Sequence, residues 1–258
     1  MGTPSHRLKL NRADEHMSDI EALTKPIRER REYPVIETMQ PKRNAPEWEY
    51  RLDLSGIQLP ERLPILVGDY LFNVRSALDH LIVAIAPRKY RRKISFPVFT
   101  TDPFARDEAS RDYLDAEAAA RWLSLTGGLP DDCIAALKVL QPYKAAALHG
   151  QVAEHHALAL LSAFQNADKH RELVDAVVGL HRVELHMGAD EIIYAVPVFQ
   201  DGTIVATGSQ KMDVKVKGTA LIGLQRGEEI WSFDMLIRRL TAFVADELLP
   251  RLEPFLPS

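Results

Sequence analysis

The residues of this chain best suited to chemistry are grouped in the segment 73–80, where an arginine and a histidine lie five positions apart. The guanidinium of Arg75 can hold a phosphate through parallel N–H donors, and the imidazole of His80 can transfer a proton near neutral pH. Asp79 lies four residues after Arg75, so on a helix it can pair with Arg75 or orient the other catalytic group. We predict catalytic roles for these three residues. The polar residues predicted to support them are Asn73 and Ser76.

These side chains match the needs of one reaction, the cleavage of RNA without a metal ion. That reaction needs a base for the 2′-hydroxyl, a cation for the charged phosphorane and an acid for the leaving oxygen. An arginine and a histidine together can fill these roles. The segment therefore predicts metal-independent chemistry on a phosphodiester, and we expect no cofactor.

A second polar cluster occupies the segment 166–171 of a predicted long helix. Its side chains could position or brace the first cluster. Alternatively, the two clusters form a structural network in which Arg75 pairs with Asp168 and Asp79 pairs with a second arginine. Buried polar groups need such partners, because each unsatisfied one costs about 1 to 3 kcal/mol. The residues of the second cluster are Asn166, Asp168, His170 and Arg171.

One stretch of the sequence is densely basic, and it follows the first cluster closely. It carries five cations and one aromatic ring within six residues. Such a stretch could guide an RNA backbone toward the first cluster through its local field and through stacking on the ring. The alternative is an ordinary solvated loop. The residues of this stretch are Arg88, Lys89, Tyr90, Arg91, Arg92 and Lys93.

A metal site is a further possibility, because carboxylate and imidazole ligands on facing helices can converge inside a helical bundle. However, the sequence has no paired Glu-x-x-His and no His-Glu-x-x-His motif. Cys133 is the only cysteine. We therefore predict no metal site, and histidines held in the core or at the surface are the simpler interpretation. The residues that could converge are His16, Asp79, His80, Asp168 and His170.

The elements that must position these residues are mostly helical. Apolar residues recur at helical spacing over residues 5–31 and again over 65–86, where the helix is apolar on two faces and stops before Pro87. Phe72 and Val83 point away from the main apolar face. A helix of this kind is normally buried or shared with a partner subunit. Further helices are predicted over residues 106–125, 130–140 and 151–178.

Period-two alternation predicts strands in two parts of the chain. Residues 34–39 and 48–54 flank a turn rich in proline, which predicts a β-hairpin inserted near 34–54. A second series of alternating runs begins near residue 179, and there Asp201 and Gly202 predict a hairpin turn. The second series predicts an antiparallel meander of three to five strands.

These patterns predict an α+β fold with a helical bundle core, an antiparallel β-meander and a closing C-terminal helix. The helical core would cover residues 1–178, and the meander would cover 179–230. The final helix, within 231–258, is capped by Ser232 and is predicted to pack back on the core. We expect the three parts to form one compact domain.

The composition restricts the class of function. The 258 residues are 46% hydrophobic and carry a formal net charge of −4, so no global basic field attracts polyanions and any contact with nucleic acid is local. The longest apolar run, residues 81–86, is far shorter than the ~20 residues that cross a bilayer. The sequence lacks a Walker A loop and the Gly-x-Ser-x-Gly and Gly-x-Gly-x-x-Gly motifs. With one cysteine and no signal-like segment near residue 1, we expect a reduced, cytoplasmic protein without a membrane partner.

The sequence RSALDH, from Arg75 to His80, is an arginine, four residues and a histidine on a predicted helix. It resembles the signature motif of the HEPN superfamily. The resemblance implies a helical-bundle protein, often homodimeric, that acts as a metal-independent ribonuclease in toxin or defence systems. It assigns catalytic roles to Arg75 and His80 alone, and the dimer would bring two copies of the motif together. The outward-facing Phe72 and Val83 are compatible with a helix at such an interface.

Two functions therefore remain open from the sequence. The first is an HEPN-like homodimer that cleaves or binds RNA. The second is a non-catalytic helical scaffold or binding module, in which the polar clusters are buried networks that fix the register of the helices. Burial discriminates between them, because a solvent-open Arg75 and His80 favour chemistry, whereas a sealed and fully paired cluster favours the scaffold.

Overall fold

The computed structural model describes residues 2–41, 47–106, 113–150, 152–169, 175–187, 190–194, 200–226 and 229–257. The fold is α+β, as predicted, with helices and antiparallel strands. Two compact units make up the chain, one formed by Met1–Met17, Val67–Leu173 and Leu236–Ser258 and the other by Ser18–Leu66 and Val174–Met235. Within the described residues, no helix combines the length and the apolar character that a bilayer span requires.

The helices of the described residues account for most of the first unit. Helix α6 follows a 3-10 turn at Ala153–His155, and α7 continues through a π-helical turn at Phe243–Leu248 into α8. A second 3-10 turn, Glu253–Phe255, follows α8. The helices are α1 (Ser5–Glu29), α2 (Leu63–Ile85), α3 (Ala116–Thr126), α4 (Asp131–Val139), α5 (Pro142–His149), α6 (Ala157–Lys169), α7 (Phe233–Ala242) and α8 (Leu249–Leu252).

Helix α2 was predicted over residues 65–86 and is confirmed within two residues at each end. It buries one broad face because its apolar residues recur every three or four positions. Phe72 lies on the opposite side and is 50% exposed, and Val83 is half-buried. The buried face carries Tyr70, Leu71, Val74, Ala77, Leu78 and Leu81.

Three predicted helix boundaries are wrong. Helix α3 begins at Ala116, not near residue 106, because Asp115 caps it by accepting a hydrogen bond from the Ala118 N–H at 2.8 Å. The predicted helix over 151–178 begins at Ala157, after the 3-10 turn at Ala153–His155, and ends at Lys169, and a strand begins at Asp175. The β-branched pair at 177–178 favours strand geometry once a neighbouring strand supplies hydrogen bonds. No helix was predicted between residues 140 and 151, whereas helix α5 begins at Pro142, because proline suits the first turn of a helix.

The strands lie in the second unit. In the described residues they form one five-stranded sheet, of order β1-β7-β4-β5 with β8 beside β7, and one three-stranded sheet of order β2-β3-β6. Both sheets are antiparallel, and the predicted hairpin near 34–54 is the β2–β3 pair. The strands are β1 (Glu32–Tyr33), β2 (Val35–Gln40), β3 (Glu47–Leu52), β4 (Asp175–Met187), β5 (Asp190–Tyr194), β6 (Ile204–Gly208), β7 (Val214–Arg226) and β8 (Glu229–Ser232).

The predicted turn at Asp201 and Gly202 forms, and the Thr203 N–H donates to the Gln200 carbonyl across it at 3.1 Å. Strand β6 pairs with β3, whereas β5 pairs with β4. Gly202 has a positive φ of 75°, and its N–H donates to the Leu52 carbonyl at 2.8 Å. The Leu54 N–H donates to Asp201 Oδ1 at 2.6 Å. The run before this turn, residues 195–199, lies outside the described residues, so the hairpin stays a prediction, while the described contacts tie the turn to the end of β3.

Candidate functional site

The middle of helix α2 carries the first polar cluster, and two of its side chains close on one main-chain segment. Arg75 Nη2 donates to the carbonyl oxygen of Phe96 at 2.7 Å. Asp79 Oδ1 accepts from the Phe96 N–H at 2.8 Å and lies 3.3 Å from Arg75 Nη2. We call this arrangement of Arg75, Asp79 and the Phe96 main chain the Phe96 clamp. It pairs both backbone polar groups of a residue that is 1% exposed.

The charges of the Phe96 clamp are partly buried. The Arg75 side chain is 16% exposed and that of Asp79 is 34% exposed. Hydrogen bonds to ionised groups are stronger than neutral ones, and partial burial limits the screening of the ion pair. The clamp is therefore suited to holding the segment after the basic stretch against helix α2.

His80 does not take part in the Phe96 clamp. Its side chain is exposed, and five residues of ideal helix place it about 140° around the axis from Arg75. Asn73 is 7% exposed and donates from Nδ2 to the Asp69 carbonyl at 2.8 Å, one helical turn back. Ser76 is half-buried. Of the predicted site residues on α2, the structure thus joins Arg75 to Asp79 through Phe96.

The second polar cluster falls mostly outside the described part of the chain. Asn166 is exposed on helix α6. Asp168 belongs to the same helix, but its side chain lies outside the described residues, and so do His170 and Arg171 entirely. The ion pairs predicted from Arg75 to Asp168 and from Arg171 to the α2 carboxylate stay predictions.

The basic stretch 88–93 forms an ordered loop directly after helix α2; we call it the basic loop. The Tyr90 N–H donates to the Pro87 carbonyl at 2.9 Å, and the Lys93 N–H donates to the Tyr90 carbonyl at 3.0 Å. Arg91 Nε donates to the Ala86 carbonyl at 3.0 Å. All five cations are exposed, and none forms an ion pair with a described residue.

Tyr90 anchors the basic loop to the rest of the first unit. A Cβ added to Gly128 would lie 2.2 Å from Tyr90 Cδ2, so the ring rests directly on the glycine backbone. Gly128 also has a φ of 86°, which side-chain-bearing residues rarely adopt. The Lys89 ammonium lies 4.8 Å from the ring centroid. The ring predicted to stack on a nucleobase thus contacts the protein itself. Sequence patterns do not reveal this anchor, because Tyr90 and Gly128 lie thirty-eight residues apart.

The remaining candidate groups do not converge. His16 is buried at 5% exposure, and its Nδ1 has no hydrogen-bond partner in the described structure. Among the residues that the structure describes, no group of three or more histidine, cysteine or carboxylate side chains is arranged to hold a metal ion. Burial raises the pKa of the Cys133 thiol to about 11, which keeps it protonated at neutral pH and unsuited to nucleophilic attack.

The residues at this site are therefore of two kinds: Arg75 and Asp79, each hydrogen-bonded to the Phe96 main chain, and the exposed cations of the basic loop with His80 nearby in sequence. The first kind can hold a chain segment in place, and the second can bind an anion from solvent.

Comparisons of the chain with protein-family models, with curated proteins and with solved structures found no match.

Proposed function

We propose that this protein is an RNA-binding module without catalytic activity, in which the basic loop contacts phosphates and the Phe96 clamp is structural. The observation that carries the proposal is the exposure of five cations in six consecutive residues of an ordered loop. Because the chain has a formal net charge of −4, this loop is a local positive region on an acidic protein. Such a local field binds the phosphate backbone without reading sequence.

The order of the loop supports this function. Its first end continues from helix α2, and its second end leads to Phe96, which Arg75 and Asp79 fix to the same helix. Tyr90 is held on Gly128 between these ends. A loop ordered before binding loses less conformational freedom when it meets its ligand, so more of the electrostatic attraction appears as affinity.

The Phe96 clamp supports a structural role for Arg75 rather than a phosphate-binding one. Arg75 Nη2 already donates to a carbonyl oxygen and faces a carboxylate. To hold a scissile phosphate, this nitrogen would have to leave both partners, and the buried carbonyl of Phe96 would lose its donor. Arg75 and Asp79 then resemble the paired network expected of a non-catalytic module, whereas His80 of the same cluster is exposed.

A second candidate function is the HEPN-like one, a homodimer that cleaves RNA without a metal ion. The observation that favours it is the exposed side chain of His80, at the surface of the helix that leads into the basic loop. In this candidate, His80 acts as general acid or base and Arg75 of either subunit holds the phosphate. The half-exposed Phe72 on the outer side of α2 would then lie at the dimer interface.

Binding is tested by fluorescence anisotropy with a labelled single-stranded RNA of about twelve nucleotides over a range of salt concentrations. Arg92→Gln with Lys93→Gln should weaken binding and lower the slope of log affinity against log salt by about 1.4, since each lost phosphate contact contributes about 0.7. The matched control, Arg238→Gln with Arg239→Gln, makes the same change of net charge at exposed positions of α7. Equal effects of the two double variants would contradict a specific role of the basic loop.

Cleavage is tested with the same RNA in excess chelator, with a melting curve for each variant. We expect no cleavage by the wild type, a lower melting temperature for Arg75→Ala and an unchanged one for His80→Ala. Chelator-resistant cleavage that is lost in a stably folded His80→Ala variant would replace the non-catalytic proposal with the second candidate.

A further inference from the structure

A cavity of about 190 Å³ lies in the first unit, between the first turns of α1, the middle of α2 and the C-terminal helical segment. Its interior is apolar and is formed by side chains that are at most 5% exposed, including Val74, Leu240 and Val244. Roughly 150 Å³ of apolar cavity is enough to hold a benzene molecule. The volume therefore suits a ring of that size with one or two further atoms.

The rim of the cavity is polar and comes from one face of α1. Arg7, Asn11 and Asp14 follow one another at four and three residues, so they lie in line on the helix, and all three are exposed. Arg7 donates through Nε and Nη2 to the two carboxylate oxygens of Glu253, each at 2.7 Å. This bidentate pair neutralises the cation of the rim.

The negative charge of Asp14 acts on Tyr70, which lines the cavity. Burial raises the pKa of the Tyr70 hydroxyl, its contact with the Thr241 hydroxyl at 3.5 Å opposes that shift, and the charge of Asp14 adds to it. Desolvation also raises the pKa of Asp14 itself. A carboxylate in such a position favours a cation that approaches the cavity over a neutral or anionic group.

The wall opposite α1 contains the π-helical turn at Phe243–Leu248. The Leu249 N–H donates to the Val244 carbonyl, five residues back, and Pro250 follows, which has no N–H to continue the α-helical ladder. Val244 and Ala245 of this turn line the cavity. Single π-helical turns are rare in proteins overall, but those that occur are often at functional sites. The wall of the cavity therefore has a feature typical of a binding site.

We propose that this cavity binds a small primary ammonium compound, whose apolar body packs against Val74 and Leu240 and whose ammonium group lies at the rim beside Asp14. The body is about the size of a benzene ring. The site is separate from the basic loop, and its ligand does not depend on the function proposed for that loop.

The test uses the full chain and three probes of nearly equal shape: benzylammonium, benzyl alcohol and benzoate. Titrations followed by protein NMR at pH 7 should show benzylammonium binding about tenfold more tightly than benzoate, with benzyl alcohol between them. Asp14→Asn should remove most of the preference for benzylammonium and leave benzyl alcohol unchanged. Asp19→Asn, an exposed carboxylate elsewhere on α1, is the matched control and should change neither.

Occupancy of the cavity itself is tested by filling it. Val244→Phe should abolish binding of benzylammonium and benzyl alcohol, and Ala245→Leu at the rim provides a second block if the first variant does not fold, as judged by its melting curve. Equal binding of benzoate and benzylammonium would overturn the proposal. So would equal weakening by Asp14→Asn and Asp19→Asn, or binding that survives in a folded blocking variant.

Discussion

The Phe96 clamp and the basic loop both lie between Arg75 and Phe96, yet their charged side chains have opposite surroundings. In the clamp, each ionised group bonds to main chain and to the other. In the loop, five cations face solvent without an ion-pair partner among the described residues. Charge in a sequence therefore does not distinguish a structural group from a binding group. The partner of each charge does, and only the fold supplies it.

The anchor of the basic loop gives the largest expected effect. Gly128→Ala should destabilise the protein by about 3 to 4 kcal/mol, because an alanine at this positive φ is strained and its Cβ would collide with the Tyr90 ring. Gly150→Ala is the control, since Gly150 has a φ of 63° but nothing within 4 Å of an added Cβ. It should cost about 1 kcal/mol. Denaturant melts that give equal losses for the two variants would show that Tyr90 does not rest on Gly128.

The Phe96 clamp gives the next effect. Arg75→Ala should destabilise the protein by about 2 to 3 kcal/mol, because the buried Phe96 carbonyl loses its donor and the Asp79 carboxylate loses its ion-pair partner. In a chain of this size that corresponds to a fall in melting temperature of roughly 4 to 12 °C. Thermal and denaturant melts measure it, and a loss no larger than that of Arg92→Ala would remove the contrast between clamp and loop.

Half-buried His156 allows the effect of the fold on a titratable group to be tested by changing the pH. Burial lowers the pKa of His156 to about 4, and its Nδ1 accepts from the Leu158 N–H at 3.2 Å. The folded state thus resists protonation, so stability is lost as pH falls from about 6.5 toward 4, by at most about 1.4 kcal/mol per pH unit.

Melting curves at pH 7, 6, 5 and 4 compare the wild type with His156→Asn, which keeps an acceptor near Leu158 but does not titrate in this range. The variant should lose stability less steeply between pH 6.5 and 4. The control, His149→Asn, changes an exposed histidine and should keep the slope of the wild type. Parallel curves for wild type and His156→Asn would show that His156 is not held neutral by the fold.

Within the Phe96 clamp, Asp79→Asn should have a smaller effect than Arg75→Ala. An asparagine keeps an oxygen that accepts from the Phe96 N–H and loses only the negative charge opposite Arg75. We expect a loss of about 1 kcal/mol. Asp79→Ala, which also removes the acceptor, should cost more. Similar losses for the two variants in denaturant melts would mean that the ion pair, and not the hydrogen bond to Phe96, carries the energy.

The basic loop gives the smallest effect on stability. Arg92→Gln with Lys93→Gln removes two exposed cations that have no ion-pair partner in the described structure, so unfolding free energy should change by less than about 0.5 kcal/mol. The same variant is expected to weaken RNA binding. A large loss of stability here would make the loop structural and reverse its contrast with the clamp.

The sequence predicted the elements whose signals are local. The apolar period of α2, the β2–β3 hairpin and the Ser232 cap of α7, which accepts from the Met235 N–H at 3.4 Å, follow from residues close together in the chain. The pairing of Arg75 with Asp79 was also predicted from their spacing of four. Predictions failed where a local signal has two meanings, as with Pro142, since proline can follow the end of one helix or begin the next, and here it begins α5.

Partners that are distant in sequence could not be predicted. The bond of Arg75 to the Phe96 carbonyl spans twenty-one residues, and the contact of Tyr90 with Gly128 spans thirty-eight. Asp201 and Gly202 predict a turn, but they do not determine which strand the turn contacts. The cavity below α1 is made by three segments that no periodicity connects.

By itself, the sequence determined the fold class, most helices, one hairpin and the two charged segments on and after α2. It did so because helix and strand periods, caps and i to i+4 pairs act over a few residues. The tertiary structure alone decided that Arg75 and Asp79 hold Phe96, that Tyr90 rests on Gly128 and that β6 joins β3. These contacts depend on loop closure and on the packing of whole elements, and the free energy that selects them is spread over many buried side chains.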